Sequence, residues 1–183
     1  MSTARIRPLT SPFPESVAGI LAKYPQGPEG PIALFRTLAH SERILKKVGQ
    51  SGLLDRDSPI KMIDREIVIL RTSARCDCDY EWGVHVKAFS SYVGLSQEQI
   101  SATVHGSSTS EVWGTEHSTL IQMVDELVDR KKISDSVWLC LNEIYTSGQI
   151  MELILLVGFY HSIAFLNNSL QVEQEPDTPS MHE

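Results

Sequence analysis

Apolar positions along this chain recur at the three- to four-residue spacing of helices that bury one side. No stretch alternates apolar and polar residues as a half-buried strand does, and no Asn-Gly or Asp-Gly pair marks a tight hairpin. The pattern therefore predicts an all-α fold, and its clearest examples are Leu34, Leu38, Leu45 and Val48, and later Leu120, Val124, Leu127 and Val128.

Prolines, glycines and capping residues divide this pattern into a bundle of about seven to eight helices. Ser134 and Ser147 begin helices, and Gly94 ends one. The second helix is expected to end at Gly49 or Gly52. The predicted helices cover about 17–24, 32–48, 59–75, 79–92, a short stretch from 97, then 115–131, 134–145 and 147–170.

Three segments are expected along the chain. Residues 1–30 are rich in proline and form an extended N-terminal segment with one short helix. Residues 31–172 form the helical domain. Residues 173–183 are polar and are expected to be a disordered tail.

Composition excludes several classes of protein. The formal net charge of −7 over 183 residues argues against nucleic-acid binding. Three cysteines without a disulfide pattern indicate reduced thiols, so we expect a cytoplasmic protein. The apolar stretch 150–166 is short for a membrane span and contains Glu152 and His161, so we expect no membrane partner but a helix buried in the bundle or at a subunit interface.

A cluster of ionisable residues stands out against this background. Glu66 falls on an apolar side of its predicted helix, while Cys78, Glu81 and His85 share one side of the next helix with aromatic residues that are expected to face the core: Trp82, Phe89 and Tyr92. Ionisable groups on buried sides are costly unless they are paired, so the cluster suggests a site. A helical Glu–His pair is also often only a surface pair, which is the simpler alternative.

If the two helices meet, Glu66 can orient His85 as a general acid or base, and Glu81 can serve as a second acid group. We therefore predict Glu66, Glu81 and His85 as catalytic residues. Candidate pocket residues are Cys78, Tyr80, Trp82, Phe89 and His161.

No cofactor and no metal site are predicted. Cys76, Cys78, Glu81 and His85 are possible ligands, but Cys-x-Cys cannot place both thiols on one helix side, and no second Cys/His pair follows at finger spacing. The histidines at 40, 105 and 117 lie beside helix ends or loops and are expected to be solvated.

The motif resembles the carboxymuconolactone decarboxylase family, part of the alkyl hydroperoxidase D-like (AhpD-like) superfamily. The resemblance rests on Arg65-Glu66, on Asp79-Tyr80-Glu81-Trp82 followed by His85, and on Gly94-Leu95-Ser96; weaker pieces include Trp113, Glu116 and the segment 152–161. It covers about residues 30–172 and implies an AhpD-like helical bundle that assembles as a homo-oligomer, a trimer or hexamer.

The peroxidase branch of this superfamily carries a second cysteine three residues after the first. In that register the present chain has Cys78 followed by Glu81. A thiol peroxidase needs a thiolate that can be oxidised and then resolved. The resemblance therefore favours the branch without the redox cysteine pair, which is typified by cofactor-free decarboxylases.

Three functions are consistent with these observations. The first is a cofactor-independent carbon–carbon lyase, decarboxylase-like, or an isomerase, acting on a small organic acid or lactone. The second is a thiol-dependent peroxidase or reductase using Cys78. The third is a non-catalytic ligand-binding or scaffold subunit, because fold constrains function only loosely.

Overall fold

The computed structural model describes residues 4–50, Leu53 and residues 57–183. Over this part of the chain nearly all regular structure is helical, apart from the short antiparallel pair β1 (Gln26–Gly27) and β2 (Gly30–Pro31). The all-α prediction is confirmed. The helices are α1 (Glu15–Leu21), α2 (Ala33–Leu38), α3 (Glu42–Gly49), α4 (Met62–Arg75), α5 (Asp79–His85), α6 (Ser91–Val93), α7 (Gln97–His105), α8 (Thr115–Arg130), α9 (Asp135–Ile144) and α10 (Ser147–Leu170).

Two of the predicted helices are divided, which raises the helix count above the expected seven to eight. Ser41 separates α2 from α3, because its side chain accepts a hydrogen bond from the backbone N–H of Ile44 and so caps a new helix. The helix α3 ends at Gly49, as predicted; the alternative end, Gly52, lies outside the described residues. The second division is a π-helical turn, Val86–Ser90, between α5 and α6.

The helix α4 forms the centre of the bundle. Ten consecutive residues, Asp64–Ser73, are buried, because α4 packs against α5, α7, α8 and α10. A helix surrounded in this way is buried on every side rather than along one stripe. Polar side chains on α4 are therefore enclosed by protein.

The first three helices form a second apolar cluster beside this core. Val17 and Leu21 of α1 pack with residues of α2 and α3, and with Tyr80 of α5 and Ile163 of α10. The two clusters thus meet along α5 and α10.

The helix α10 has the length and mean hydropathy of a membrane span, and it is the one helix among the described residues that does. Its inner side packs against α4, α5, α8 and α9. On its outer side Met151, Leu155 and Phe165 are each more than 60% exposed. The expected homo-oligomer stays a prediction, and this apolar stripe is the surface that would be covered in it.

The C-terminal segment 173–183 differs from the disorder expected of its polar composition. Glu175 accepts hydrogen bonds from the backbone N–H of Ala33 and from the hydroxyl of Tyr80, and Met181 is buried in the main core. The carbonyl of Pro179 lies so close to Gly83 that a side chain at that position would collide with it. Specific contacts, rather than apolar content, therefore hold this segment on α5.

Candidate active site

A tight turn brings the two predicted site helices side by side. Asp77 adopts a positive φ of 51°, and the backbone N–H of Cys78 donates to the carbonyl of Ser73 at 2.9 Å. The chain reverses between α4 and α5, which pack against each other. Glu66 on α4 therefore faces the side of α5 that carries Glu81 and His85.

The three predicted catalytic side chains meet around the imidazole of His85. Its Nδ1 lies 2.7 Å from Oε2 of Glu66, and its Nε2 lies 3.4 Å from Oε1 of Glu81. The hydroxyl of Tyr160, on α10, is 3.1 Å from the same Nε2. All four residues are buried, so the cluster is an enclosed site and not a surface ion pair. Their catalytic roles stay a prediction.

Two carboxylates determine the charge of this imidazole. Burial disfavours the protonated ring, but the charge and hydrogen bond of Glu66, supported by Glu81, outweigh burial and raise the pKa of His85 to about 10. At neutral pH His85 is therefore an imidazolium between two carboxylates. In this state the His85 ring can donate a proton but cannot accept one.

Tyr160 and Asn167 complete the site, and neither was proposed from the sequence. Asn167 donates from Nδ2 to Oε2 of Glu81 at 3.0 Å and so fixes that carboxylate. Burial, followed by the charges of Glu81 and Glu66, raises the pKa of Tyr160 well above its ordinary value, which keeps the phenol protonated. The available signal was their seven-residue spacing, which places both polar side chains on the inner face of an otherwise apolar helix.

A cavity of about 410 Å³ opens beside the site, between the two apolar clusters. Glu81, His85 and Tyr160 lie in its wall, whereas Glu66 stands behind His85. None of its described lining residues is a lysine or arginine. The remaining lining residues are Tyr24, Pro25, Ile32, Leu34, Phe35, Val48, Gly49, Val84, Ala88, Phe89, Phe159 and Ile163.

Of the five predicted pocket residues, Phe89 lines this cavity, with its ring centroid 5.2 Å from that of His85. Trp82 instead points to α7, where its Nε1 donates to Oγ1 of Thr103 at 3.0 Å. Tyr80 accepts from the backbone N–H of Leu34 and so holds α2, which forms part of the cavity wall.

The other two predicted pocket residues also lie outside the cavity wall. His161 is half-buried on the outer side of α10, where its ring packs against the exposed Phe165. Cys78 is fully buried behind the site, with Sγ 3.7 Å from Nδ2 of Asn167.

The π-helical turn explains one further departure from the helical-wheel expectation. Counting 100° per residue places Tyr92 on the same side as Cys78 and His85, but Tyr92 is 76% exposed. A π turn inserts one extra residue, so every side chain after it is rotated out of phase. The prediction for Tyr92 was wrong for this reason, whereas Phe89, inside the turn, still reaches the cavity.

The two cysteines in the turn between α4 and α5, Cys76 and Cys78, have little thiolate character. Burial raises the pKa of Cys78 to about 12, and burial also raises the pKa of Cys76. A thiol is nucleophilic mainly as the thiolate. Neither residue therefore has the environment of a reactive cysteine.

The arginines of α4 take no part in the cavity. Arg71 binds Asp125 through two hydrogen bonds of 2.8 Å and donates to the carbonyls of Thr103 and Gly106. Arg75 pairs with Asp129 at 2.6 Å. Both arginines are committed to the α8 side of the bundle, so they supply no charge to a bound substrate.

The part of the chain around Glu66, Glu81 and His85 matches the model of a known protein family. The model of the carboxymuconolactone decarboxylase family matches residues 44–119, a range that includes Glu66, Glu81 and His85. This part of the chain is therefore similar to the carboxymuconolactone decarboxylase family, in agreement with the resemblance that the sequence motif indicated. Tyr160 and Asn167 lie beyond the matched range.

Solved structures share the whole architecture. An uncharacterised peroxidase-related protein from Silicibacter sp. TM1040 is 12% identical with a TM-score of 0.80, and the match covers 97% of each chain. An AhpD-core protein from Ralstonia eutropha JMP134 is 14% identical with a TM-score of 0.78, covering 94% of each chain. The debrominase Bmp8 is 13% identical with a TM-score of 0.71, covering 93% of this chain and 92% of its own. These identities show a common fold, and no curated protein matches the chain.

Proposed function

We propose that the protein is a cofactor-independent acid–base enzyme, a decarboxylase-like lyase or an isomerase, that acts on a small molecule in the cavity. The observation that carries the proposal is the placement of Glu81, His85 and Tyr160 in the wall of an otherwise apolar cavity. Ionisable groups in the wall of a mostly apolar pocket are typical of acid–base catalysis.

The hydrogen bonds suggest a division of labour among these groups. The His85 imidazolium faces Tyr160 and Glu81 through Nε2, and it is oriented from behind by Glu66. It can donate a proton, or a hydrogen bond, to an oxygen that becomes negative during the reaction. Glu81 then removes or returns a proton at carbon, and Tyr160 supplies a second donor for the same oxygen.

The lining of the cavity favours a small, largely apolar substrate with one polar end. Its described wall offers no lysine or arginine, so the His85 imidazolium is the cationic group there that can pair with a substrate carboxylate or polarise a carbonyl oxygen. A small lactone or organic acid with a single carboxylate therefore fits; a substrate that carries the carboxylate can lose carbon dioxide, whereas a neutral lactone can only be isomerised. A cysteine-to-alanine variant of the debrominase Bmp8 is described in complex with 2,3,4-tribromopyrrole, which supports a small ring compound as the kind of ligand this fold holds.

Thiol chemistry is less well supported. A peroxidase would need a reactive thiolate in the cavity, but Cys78 lies outside the wall and burial raises its pKa to about 12. The position three residues after it, where a peroxidase of this superfamily carries its second thiol, is Glu81. A non-catalytic, ligand-binding role is also less well supported, because it does not explain why a protonated His85 is buried beside two carboxylates.

The proposal can be tested with a panel of small lactones and β-keto compounds in D₂O. Nuclear magnetic resonance follows deuterium incorporation at carbon, loss of carbon dioxide and double-bond migration in the presence of the protein. For a compound that turns over, Glu81→Gln and His85→Gln are expected to lower kcat by about 10²–10⁴-fold. The matched control is Glu98→Gln, on the exposed surface of α7.

Equal turnover in the wild type and in both site variants would refute the proposal. So would activity that disappears in a Cys76→Ser/Cys78→Ser double variant while His85→Gln retains it, since that result assigns the chemistry to the thiols.

A further inference from the structure

A second group of ionisable side chains lies at the first turns of α4 and α8. It joins Asp64 of α4 to Glu116 and His117 of α8, and one ligand atom from each lies within 4.8 Å of the others. None of the three lines the cavity. The sequence predicted no metal site and a solvated His117, because only the packing of α8 on α4 brings these residues together.

Asp64 is the residue that a purely structural role leaves unexplained. Its side chain is fully buried, yet in the described part of the chain no geometrically sound hydrogen bond reaches either carboxylate oxygen. The hydroxyl of Tyr145 lies close by, and burial together with the charge of Asp64 raises the pKa of that phenol, but the hydroxyl donates to Glu116. A buried carboxylate without hydrogen bonds is costly unless a cation compensates it. A cation bound at Asp64 would offset the cost of burying this carboxylate.

His117 faces Asp64 in a geometry that suits two ligands of one ion. Its Nε2 lies 3.3 Å from Oδ1 of Asp64, but no hydrogen bond joins them. Two ligand atoms bound at about 2.0–2.2 Å to a tetrahedral ion lie about 3.3–3.6 Å apart. The observed separation is within that range.

Glu116 offers the third ligand and an opening to solvent. Its Oε1 accepts hydrogen bonds from Nζ of Lys61 at 2.8 Å and from the hydroxyl of Tyr145 at 3.4 Å. The Lys61 side chain is 65% exposed. It is therefore a replaceable cation, which an arriving ion can displace towards solvent.

We propose that Asp64, Glu116 and His117 bind one divalent transition-metal ion, for which Zn²⁺ is the best fit. Two carboxylate oxygens and one imidazole nitrogen form a three-ligand set that zinc accepts, with the fourth position left to water. Mg²⁺ prefers oxygen ligands in octahedral geometry and suits an imidazole poorly. The ion compensates the buried charge of Asp64 and fastens α8 to the start of α4, the helix that carries Glu66.

The test uses the untagged full-length chain in a Cys140→Ser background, because Cys140 is an exposed thiol that could bind zinc by itself. After treatment with a chelator, calorimetry with ZnCl₂ is expected to show one saturable site per chain, with much weaker binding of MgCl₂. Co²⁺ is expected to give d–d absorption without thiolate charge-transfer bands.

Asp64→Asn and His117→Gln are expected to weaken zinc binding by more than the roughly 10–100-fold typical of losing an outer-shell partner. Lys61→Gln should tighten it, because the competing ammonium is gone. The controls are His161→Gln and Lys46→Gln, which leave the three ligands intact. Glu116→Gln provides a further test should one of the other variants fail to fold.

Two results would overturn the proposal. One is the absence of saturable zinc binding at one ion per chain. The other is binding that Asp64→Asn and His117→Gln leave unchanged, which would mean that the cluster is only an ion pair. A zinc-dependent rise in Tm that occurs in the parent and is lost in both variants supports it.

Discussion

Two carboxylate–histidine clusters share the central helix α4, and their hydrogen bonding differs sharply. Around Glu66, the imidazole of His85 has a partner at each nitrogen, and Asn167 holds the second carboxylate, that of Glu81. Around Asp64, two residues earlier, neither buried oxygen accepts a hydrogen bond from the described chain. In the first cluster the described chain supplies hydrogen bonds to the buried charges, whereas in the second Lys61 pairs with Glu116 and His117 faces Asp64 without a hydrogen bond.

The contrast shows that burial alone does not define the purpose of an ionisable group. A buried charge with matched partners can hold a proton in reserve, as His85 does. A buried charge without matched partners is a cost to the fold unless something binds to it. The same helix therefore presents a proton site on one side and a candidate ion site two residues earlier, on nearly the opposite side.

The largest difference between the clusters is expected when the carboxylate of Glu66 or of Asp64 is removed in metal-free protein and the free energy of unfolding is measured. Glu66→Leu leaves the buried imidazolium with less compensation, and breaking a buried pair in this way typically costs about 3–5 kcal/mol of unfolding free energy. Asp64→Asn removes a buried charge that accepts no hydrogen bond, so it is expected to change the free energy of unfolding by no more than about 1 kcal/mol in either direction, the scale of a first-turn dipole interaction.

Urea denaturation of the chelator-treated variants measures both values. The two-cluster distinction would be wrong if Asp64→Asn were as destabilising as Glu66→Leu without metal. Saturating zinc should raise the free energy of unfolding of the parent but not that of Asp64→Asn, because the variant no longer binds the ion.

The pH dependence of stability offers a second test of the first cluster. The pKa of His85 is raised from its ordinary value of 6.5 to about 10, so its proton binds the folded state more tightly than the unfolded state. The stability contributed by that proton is fully present below about pH 6.5 and is lost as pH rises towards about 10. The slope cannot exceed about 1.4 kcal/mol per pH unit for one group.

Denaturation curves between pH 6 and pH 10 are expected to show this loss in the wild type and a flatter profile in His85→Gln. Equal slopes in the two proteins would show that His85 does not hold the extra proton. Asp64→Asn serves as the control, since it lies on the same helix and leaves the His85 partners in place.

The sequence was sufficient to predict the first cluster in part. Glu66, Glu81 and His85 lie on consecutive helices joined by a short turn, so helical spacing alone brings them together. Tyr160 and Asn167 come from the far end of the chain, and only tertiary packing decides that α10 is the helix facing them. The π-helical turn that moves Tyr92 to the surface has no recognisable sequence signal.

The cluster of Asp64, Glu116 and His117 could not be predicted from the sequence, because tertiary packing rather than helical spacing brings its residues together. Asp64 and His117 are far apart in sequence, and neither sits in a spacing that indicates a metal site. The docked C-terminal segment is a further example, because a few specific hydrogen bonds around Glu175 hold residues whose composition predicts disorder.

A third and smaller difference is that, in the part of the chain that the structure describes, the C-terminal segment 173–183 contacts the surroundings of the first cluster but not those of the second. Glu175 accepts hydrogen bonds from Ala33 and Tyr80, which ties the segment to α2 beside the cavity. Among the described residues no hydrogen bond or ion pair joins Asp64 to that segment. Glu175→Gln weakens a charged acceptor and is expected to cost about 1.5–3 kcal/mol at most. Hydrogen exchange should rise in α2 and stay unchanged at the start of α4.

Gly83→Ala approaches the same contact from the other side, since the added methyl collides with the carbonyl of Pro179. Both variants should loosen 173–183 while zinc binding stays intact. Loss of zinc binding in either one would show that the two clusters are not independent.

The smallest effect is expected at Cys78, which touches the first cluster without belonging to it. Its Sγ lies 3.7 Å from Nδ2 of Asn167, a weak contact beside the stronger bond from Asn167 to Glu81. Cys78→Ala removes one buried sulfur, so we expect a cost of about 1 kcal/mol and no loss of turnover on a substrate found by the D₂O screen. Alkylation at neutral pH should modify the exposed Cys140 long before the buried Cys78. Rapid modification of Cys78 in the folded protein, together with loss of activity, would instead place a functional thiol in the site and move the chemistry from proton transfer to redox.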